Sequence, residues 1–273
     1  MTATALLPPE RPAEAVTGLL LDAVHAAGQR LLATWPGAGG RPAAATKPDG
    51  SVVTDADLAS EAILTAAIRT VAPGAHIAAE ENPASHHCPG PDTMVWFLDP
   101  LDGTRLYLNG SADFAILLSA WHAGRALLSI ASFPAAGIVA AARNGTVSFT
   151  PSGPPPARLP VHTCYCDPPG LPGVIPADLS HLVDAYESTR ALVDVARGHA
   201  AGAVALMCGH RTWDIAAPAH LITTAGGTVT DEHGAPLHLT GCDVTARYLV
   251  AATTRTLHRR LLAALPQELN PCS

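Results

Sequence analysis

"WFLDPLDGTRLYLNG", Trp96 to Gly110, is the stretch on which the reading of this chain turns. The apolar run from Met94 to Leu98 reads as a short buried strand, and it stops at two aspartates, Asp99 and Asp102. Carboxylates at the end of a buried strand are costly unless a partner offsets their lost hydration. Pro100 fixes the backbone between them and has no N–H to donate. The D-P-L-D turn can therefore aim both carboxylates, and the Leu101 carbonyl, at one point. Gly103 and Thr104 then open a turn or helix whose free N–H groups can hold a phosphate oxygen. Hard oxygen ligands beside a phosphate cradle suit metal-assisted phosphoryl transfer to water.

Other acids share this placement. Glu80 and Glu81 end the apolar segment "HIAAEE". Asp57 lies in the first turn of a helix that Thr54 can cap, and Asp214 lies in "TWDIAA". Taken singly, each has an ordinary explanation. A lone D-x-x-D is usually a solvated turn, Glu80-Glu81 a surface pair, Asp57 a helix-dipole partner, and Trp213-Asp214 a packed Trp beside a cap. Taken together they form a set of hard ligands of the kind Mg²⁺ prefers.

The 273 residues suffice for one large domain or two smaller ones. With 48% apolar and 14% charged residues the chain is globular, and at 4% aromatics its core must be mostly Ala, Leu, Val and Ile. The net charge of −7 argues against coating a nucleic-acid polymer or an anionic membrane. It leaves room for a small phosphate substrate, since bound cations reverse the charge locally. Lys47 is the single lysine among sixteen Lys and Arg residues. Cys88, Cys164, Cys166, Cys208, Cys242 and Cys272 fit no zinc spacing. The start "MTATALLPPERPAE" has neither a basic region nor an apolar one of the kind a signal peptide carries. No apolar run is long enough to span a membrane. The expectation is a cytoplasmic protein with reduced thiols.

Residues 1–12 are Pro-rich and expected to be disordered. Val16, Leu19, Leu20, Val24, Ala27, Leu31 and Leu32 recur at helical spacing and predict a helix from Ala13 to Trp35. Residues 36–50 read as broken structure, followed by a helix from about Thr54 to Val71. "AHIAAEEN" and "MVWFLDP" predict buried strands, and residues 114–149 predict three or four antiparallel strands. "PSGPPPARLP", residues 151–160, is the strongest linker signal, which places a boundary near residue 155. Beyond it we expect a strand near Val161, helices over 177–185 and 189–198, and a strand near Val204. A helix over 215–225, a hairpin in "GTVTDEHGAPL" and a last helix over 256–265 complete the reading. The class is α/β, with an α+β first half (13–155) and an α/β second half (156–273).

The segments "KPDGSVVTDADLASEAI", "IAAEEN", "WFLDPLDGT" and "WDIAAPAHLITTAGGTV" together resemble the inositol monophosphatase superfamily. These are Mg²⁺-dependent, typically lithium-sensitive phosphatases. They include inositol monophosphatases, 3'(2'),5'-bisphosphate nucleotidases, histidinol-phosphate phosphatases and fructose-1,6-bisphosphatases. The resemblance runs from about Ala13 to Leu265 and implies a layered αβαβα sandwich. It implies two or three Mg²⁺ per site, inhibition by Li⁺, and a homodimer. By resemblance Glu80 is a metal ligand, Asp99 bridges two metals, the Leu101 carbonyl joins the first, and Asp102 and Asp214 hold the second. Asp57 and Thr104 position and deprotonate the attacking water, with Glu80 assisting, and Gly103 and Thr104 bind phosphate through backbone N–H groups. Lys47 matches a frequent family lysine on the loop before the second helix, and its reading stays open between function and plain surface.

The substrate end departs from the inositol monophosphatase pattern. That family's inositol-holding glutamate falls here at Met207, and its G-[TS]-A loop appears as Ser188-Thr189-Arg190. Arg105 after D-G-T, "LNGSADFAILLSA" and "GHRTWDIAA" resemble the bisphosphate nucleotidase branch instead. Arg190 and Arg211 are candidates for a second phosphate or polar ring, with a surface charge as the other reading. His210 reads as structural. The expected function is a Mg²⁺-dependent phosphomonoesterase acting on a nucleotide, nucleoside or sugar-like phosphate, fitting a specialised biosynthetic pathway. Inositol 1-phosphate and histidinol phosphate are the alternatives within the class. A catalytically silent metal- or ligand-binding regulator, or a structural subunit whose acids only cap helices, are the alternatives outside it.

Overall fold

The computed structural model describes residues 13–87, 89–90, 92–164, 181–183, 188–207, 209–239 and 241–265. Helix α1 (Ala13–Thr34) buries Val16, Leu20, Val24, Ala27 and Leu31, the apolar stripe read from the sequence. Strands β1 (Ala44–Thr46) and β2 (Val52–Thr54) form a small antiparallel hairpin. The sequence showed only broken structure there, because β1 is wholly exposed and carries no apolar period. A turn makes the hairpin: Lys47 N–H donates to the Ser51 carbonyl at 2.8 Å, and Gly50 takes a φ of +84°. Helix α2 (Asp55–Val71) follows with a complete capping box between Thr54 and Asp57.

Strands β3 (His76–Ala79), β4 (Val95–Asp102), β5 (Ala115–His122), β6 (Arg125–Phe133), β7 (Ile138–Arg143) and β8 (Thr146–Thr150) form one six-stranded sheet in that order. β3 runs parallel to β4 and the remaining pairs are antiparallel. The short helix α3 (Thr104–Leu108) lies between β4 and β5. Side chains alternate across this sheet as the two-residue period requires. Trp96, Leu98, Ile116 and Leu118 pack with α1 and α2, whereas Val95, Phe97, Ala115 and Leu117 face the other way.

The residues 151–160 lead into a second sheet, built of β9 (Val161–Cys164), β10 (His181–Val183), β11 (Gly202–Leu206), β12 (Thr228–Asp231) and β13 (Tyr248–Ala252). Its order is β10-β9-β11-β13-β12. Helices α4 (Ser188–Ala196) and α5 (Thr212–Thr224) lie between the two sheets, within one continuous apolar cluster. Helix α6 (Arg255–Ala264) covers the far face of the small sheet. The layers are thus α1/α2, large sheet, α4/α5, small sheet and α6, the expected αβαβα sandwich.

Three expectations are corrected. In the helix expected over 177–185, the described residues His181–Val183 form a strand that pairs in parallel with Val161–Thr163; the remainder lies outside the described residues, as do residues 1–12. The hairpin in "GTVTDEHGAPL" has one strand only: β12 pairs with β13, a strand the reading missed, instead of with Ala235–Leu237. The helix expected to start at Ile215 starts at Thr212, so Trp213 and Asp214 are helical. Among the described residues no helix is long and apolar enough to cross a membrane.

Candidate active site

The D-P-L-D segment is the end of a strand rather than a turn beyond it. Asp99 pairs with Leu117 and Asp102 with Ala115, so β4 takes three steps where β5 takes two. In a regular strand residues three apart face opposite ways. The bulge inserts the odd residue and turns both carboxylates to the same side, the one that Leu117 and Ala115 share with α5. Asp214, at the third position of α5, meets them there. Carboxylate oxygens of Asp99, Asp102 and Asp214 lie within 4.8 Å of one another.

Two of these acids are oriented by a backbone donor. Asp99 Oδ1 accepts from Leu101 N–H at 3.0 Å, and Asp214 Oδ2 from Arg211 N–H at 2.7 Å. Pro218, inside α5, has no N–H to offer the Asp214 carbonyl. The Thr189 hydroxyl approaches that carbonyl at 3.5 Å instead. Glu80 directly follows β3, with its N–H on the Leu98 carbonyl at 3.0 Å. In the first turn of α2 Asp57 is buried, with Oδ2 accepting from Thr54 N–H at 2.8 Å. Thr104 Oγ1 lies 3.1 Å from Asp57 Oδ1 and 3.1 Å from the Leu101 carbonyl. Gly103 takes a φ of +78°, a conformation that suits glycine, and starts α3.

The electrostatics are those of crowded, buried carboxylates. Burial pushes the Asp99 carboxyl well above its usual range, and the charges of Glu80, Asp102 and Asp214 push it the same way. Burial also raises Asp57, against the pull of its Thr54 hydrogen bonds. Glu81 is raised to about 7, again by burial first. Lys47 Nζ sits 3.2 Å from Glu80 and 2.8 Å from Glu81. Burial lowers its pKa, but the two carboxylates raise it on balance. An all-oxygen donor set with this much mutual repulsion fits a hard divalent cation.

A cleft of about 580 Å³ opens over the cluster, lined by Glu80, Asp99, Leu101, Asp102, Gly103, Thr104, Arg105, His210 and Asp214 among others. The other substrate-side candidates divide. Arg105 is exposed at the cleft and reaches the Gly50 carbonyl at 3.4 Å. Arg211 borders an adjoining lobe with Lys47 and pairs with Asp243. Arg190 bonds Asp113 at 3.2 Å and Asp194 at 3.1 Å and does not line either lobe. Met207 is buried in the core between the sheets, and Gly209 and His210 take the place at the cleft that counting back from Trp213 assigned to it. Ser188 is buried and bonds His210 Nε2 at 2.8 Å, and it is His210, not Ser188, that lines the cleft. Two residues escaped the sequence reading. His86 lies against Trp213, ring centroids 4.6 Å apart, in the second lobe. Ser60 donates to the Pro100 carbonyl at 2.8 Å. Neither carries a motif; only the Ser60 spacing of three from Asp57 along one helix face hinted at it.

The chain matches the inositol monophosphatase family over residues 13–270. The inositol-1-monophosphatase ImpA of Mycolicibacterium smegmatis is 33% identical over 218 residues, covering 73% of this chain and 77% of that protein. The 3'(2'),5'-bisphosphate nucleotidase CysQ of Shigella flexneri is 28% identical over 100 residues, 37% of this chain and 41% of its own. Among solved structures, the extragenic suppressor protein suhB from Bartonella henselae superposes with a TM-score of 0.74 at 21% identity. It covers 93% of this chain and 100% of that one, a likeness of fold.

Proposed function

We infer the chemistry of the site from the premise that this chain belongs to the inositol monophosphatase family, metal-dependent phosphatases of small phosphate monoesters. The chain is a phosphoric monoester hydrolase. The cluster of Asp99, Asp102 and Asp214 oxygens within 4.8 Å carries the rest of the reading. Glu80, Asp99, the Leu101 carbonyl, Asp102 and Asp214 would hold two or three Mg²⁺. Bound there, Mg²⁺ lowers the pKa of water, neutralises phosphate oxygens and stabilises the leaving alkoxide. Thr104 Oγ1 can donate to Asp57 Oδ1 while accepting from a water, so Asp57 is the proton acceptor at the end of that chain. Burial raises Asp57 and makes it the stronger base. Gly103 and Thr104 N–H groups would fix the phosphate. Li⁺ is expected to inhibit.

For the substrate, the reading is a nucleotide, nucleoside or sugar-like phosphate of a specialised pathway, with Arg105 at the cleft as its main support. A second reading is inositol 1-phosphate. Similarity to ImpA over 73% of the chain favours it, as does the engagement of Arg190 with Asp113 and Asp194. The same proposal includes a homodimer, a cytoplasmic setting and a division of the chain near residue 155. The test is phosphate release, with and without Mg²⁺, from inositol 1-phosphate, adenosine 3',5'-bisphosphate, AMP, histidinol phosphate and fructose 1,6-bisphosphate. Mg²⁺-dependent release from AMP or the bisphosphate above the rest supports the first substrate reading, and release from inositol 1-phosphate above the rest supports the second. No release from any of them would favour a silent regulator.

A further inference from the structure

We propose that Ser60 is a positioning residue for the metal ligands, acting through the Pro100–Leu101 peptide; this rests on the metal-dependent reading of the site. The bulge in β4 takes that peptide out of the ladder with β5, so its polar ends need other partners. Both ends are held. The carbonyl end, Pro100 O, accepts from Ser60 Oγ at 2.8 Å, and Ser60 is fully buried. The amide end, Leu101 N–H, donates to Asp99 Oδ1 at 3.0 Å. One rigid peptide plane thus links the Ser60 hydroxyl to the carboxylate at the centre of the acid cluster. Its orientation also sets the start of the next peptide, whose oxygen is the Leu101 carbonyl.

Ser60 belongs to a larger pattern on α2. Ser60 and Glu61 lie three and four residues after Asp57 and flank its face of the helix. Asp57 reaches the Thr104 hydroxyl at 3.1 Å, Ser60 the Pro100 carbonyl, and Glu61 the Glu81 N–H at 2.9 Å. Three successive contacts from one rigid element therefore grip the two segments that supply Glu80, Asp99 and Asp102. Without the Ser60 hydroxyl the Pro100–Leu101 peptide is held at one end only, and Asp99 loses the fixed donor that aims it. Supporting partners of metal ligands typically contribute tenfold or more to metal affinity. Ser60 is neutral, so removing its hydroxyl changes geometry without changing the charge of the cluster.

The test is Mn²⁺ binding to the full-length metal-free protein, followed by the paramagnetic resonance of free Mn²⁺, beside thermal unfolding without metal. Ser60→Ala is expected to weaken Mn²⁺ binding about tenfold, with Ser60→Cys, which keeps a weaker donor, in between. Ser129→Ala is the control: Ser129 is a buried serine in the sheet that carries the bulge, and it bonds Ser119 and His220 instead of the bulge. It should lower the unfolding temperature and leave Mn²⁺ affinity unchanged. Wild-type affinity in folded Ser60→Ala would overturn the proposal alone. If Ser60→Ala does not fold, Ser60→Cys decides, and wild-type affinity in it would likewise overturn the proposal. Absence of Mn²⁺ binding by the wild-type protein would overturn both the proposal and the metal-dependent reading.

Discussion

At the scale of single residues, Asp99 concentrates the conflict between folding and function. It is buried beside Glu80, Asp102 and Asp214, and its raised pKa expresses the cost of charging it there. Asp99→Asn should therefore lower turnover by about 10²–10³-fold, the scale of losing one preorganised charge-stabilising group. The same change should raise the metal-free unfolding temperature, because it removes a buried like charge. Activity assays and thermal unfolding without metal check the two halves separately. Met207 makes the opposite case. Met207→Glu would place a carboxylate among buried residues between the sheets, and destabilisation of about 3 kcal/mol or more is expected, with no gain of inositol-phosphate hydrolysis. Denaturant unfolding and the same assay decide it. The acids were legible in the sequence because a carboxylate at the end of an apolar run is chemically out of place. Met207 and Arg190 were not, because counting along a chain gives position but not the direction a side chain takes. Arg190 carries a charge that looks available until Asp113 and Asp194 are seen beside it.

At the scale of elements, the bulge in β4 and the first turn of α5 do the aiming. The sequence placed Pro100 at the end of a strand and Pro218 inside a helix over 215–225, but showed neither the bulge at the first nor the start of that helix at Thr212. Elements with strong periods, α1, α2 and β5 to β8, were readable. β1 and β10 are three residues long; β1 is wholly exposed and carries no apolar period, and β10 is defined by β9, far upstream in sequence, so local pattern could not reveal them. α5 also carries His220, whose Nδ1 lies 2.9 Å from Ser129 Oγ. Burial lowers its pKa from 6.5 to about 4. Above pH 6.5 the imidazole is neutral in both states. As pH falls from 6.5 toward 4 the unfolded chain takes up a proton that the folded one refuses, so stability is lost across that window. The loss is at most about 3 kcal/mol, and less with partial solvent access. His220→Gln should flatten the fall in unfolding temperature between pH 7 and 5; parallel profiles for the two proteins would contradict it.

At the scale of the whole molecule, the layers bring together acids that the chain keeps far apart. Glu80, Asp99 and Asp102 come from the large sheet, and Asp214 from the helix layer between the sheets. Cations held there tie the two layers together, so Mg²⁺ should raise the unfolding temperature. Without metal, the raised pKa of Asp99 acts in a known direction. Its contribution is fully present below the ordinary carboxylate range and is lost as pH rises through its folded value. The metal-free protein should therefore lose the Asp99 contribution as pH rises above about 4, against the opposite slope from His220, and saturating Mg²⁺ should remove the Asp99 part of the dependence. Thermal unfolding across pH, with Mg²⁺ and with chelator, reads both effects. The central claim is that the acid cluster holds the cations that drive phosphate-ester hydrolysis. Its most direct test is phosphate release by the wild-type protein and Asp99→Asn, each assayed with Mg²⁺ and with chelator, on the substrate panel above. The account predicts full release only by the wild-type protein with Mg²⁺, about 10²–10³-fold less by Asp99→Asn, and none by either with chelator. Release that survives the chelator, or near-normal release by Asp99→Asn, would contradict it.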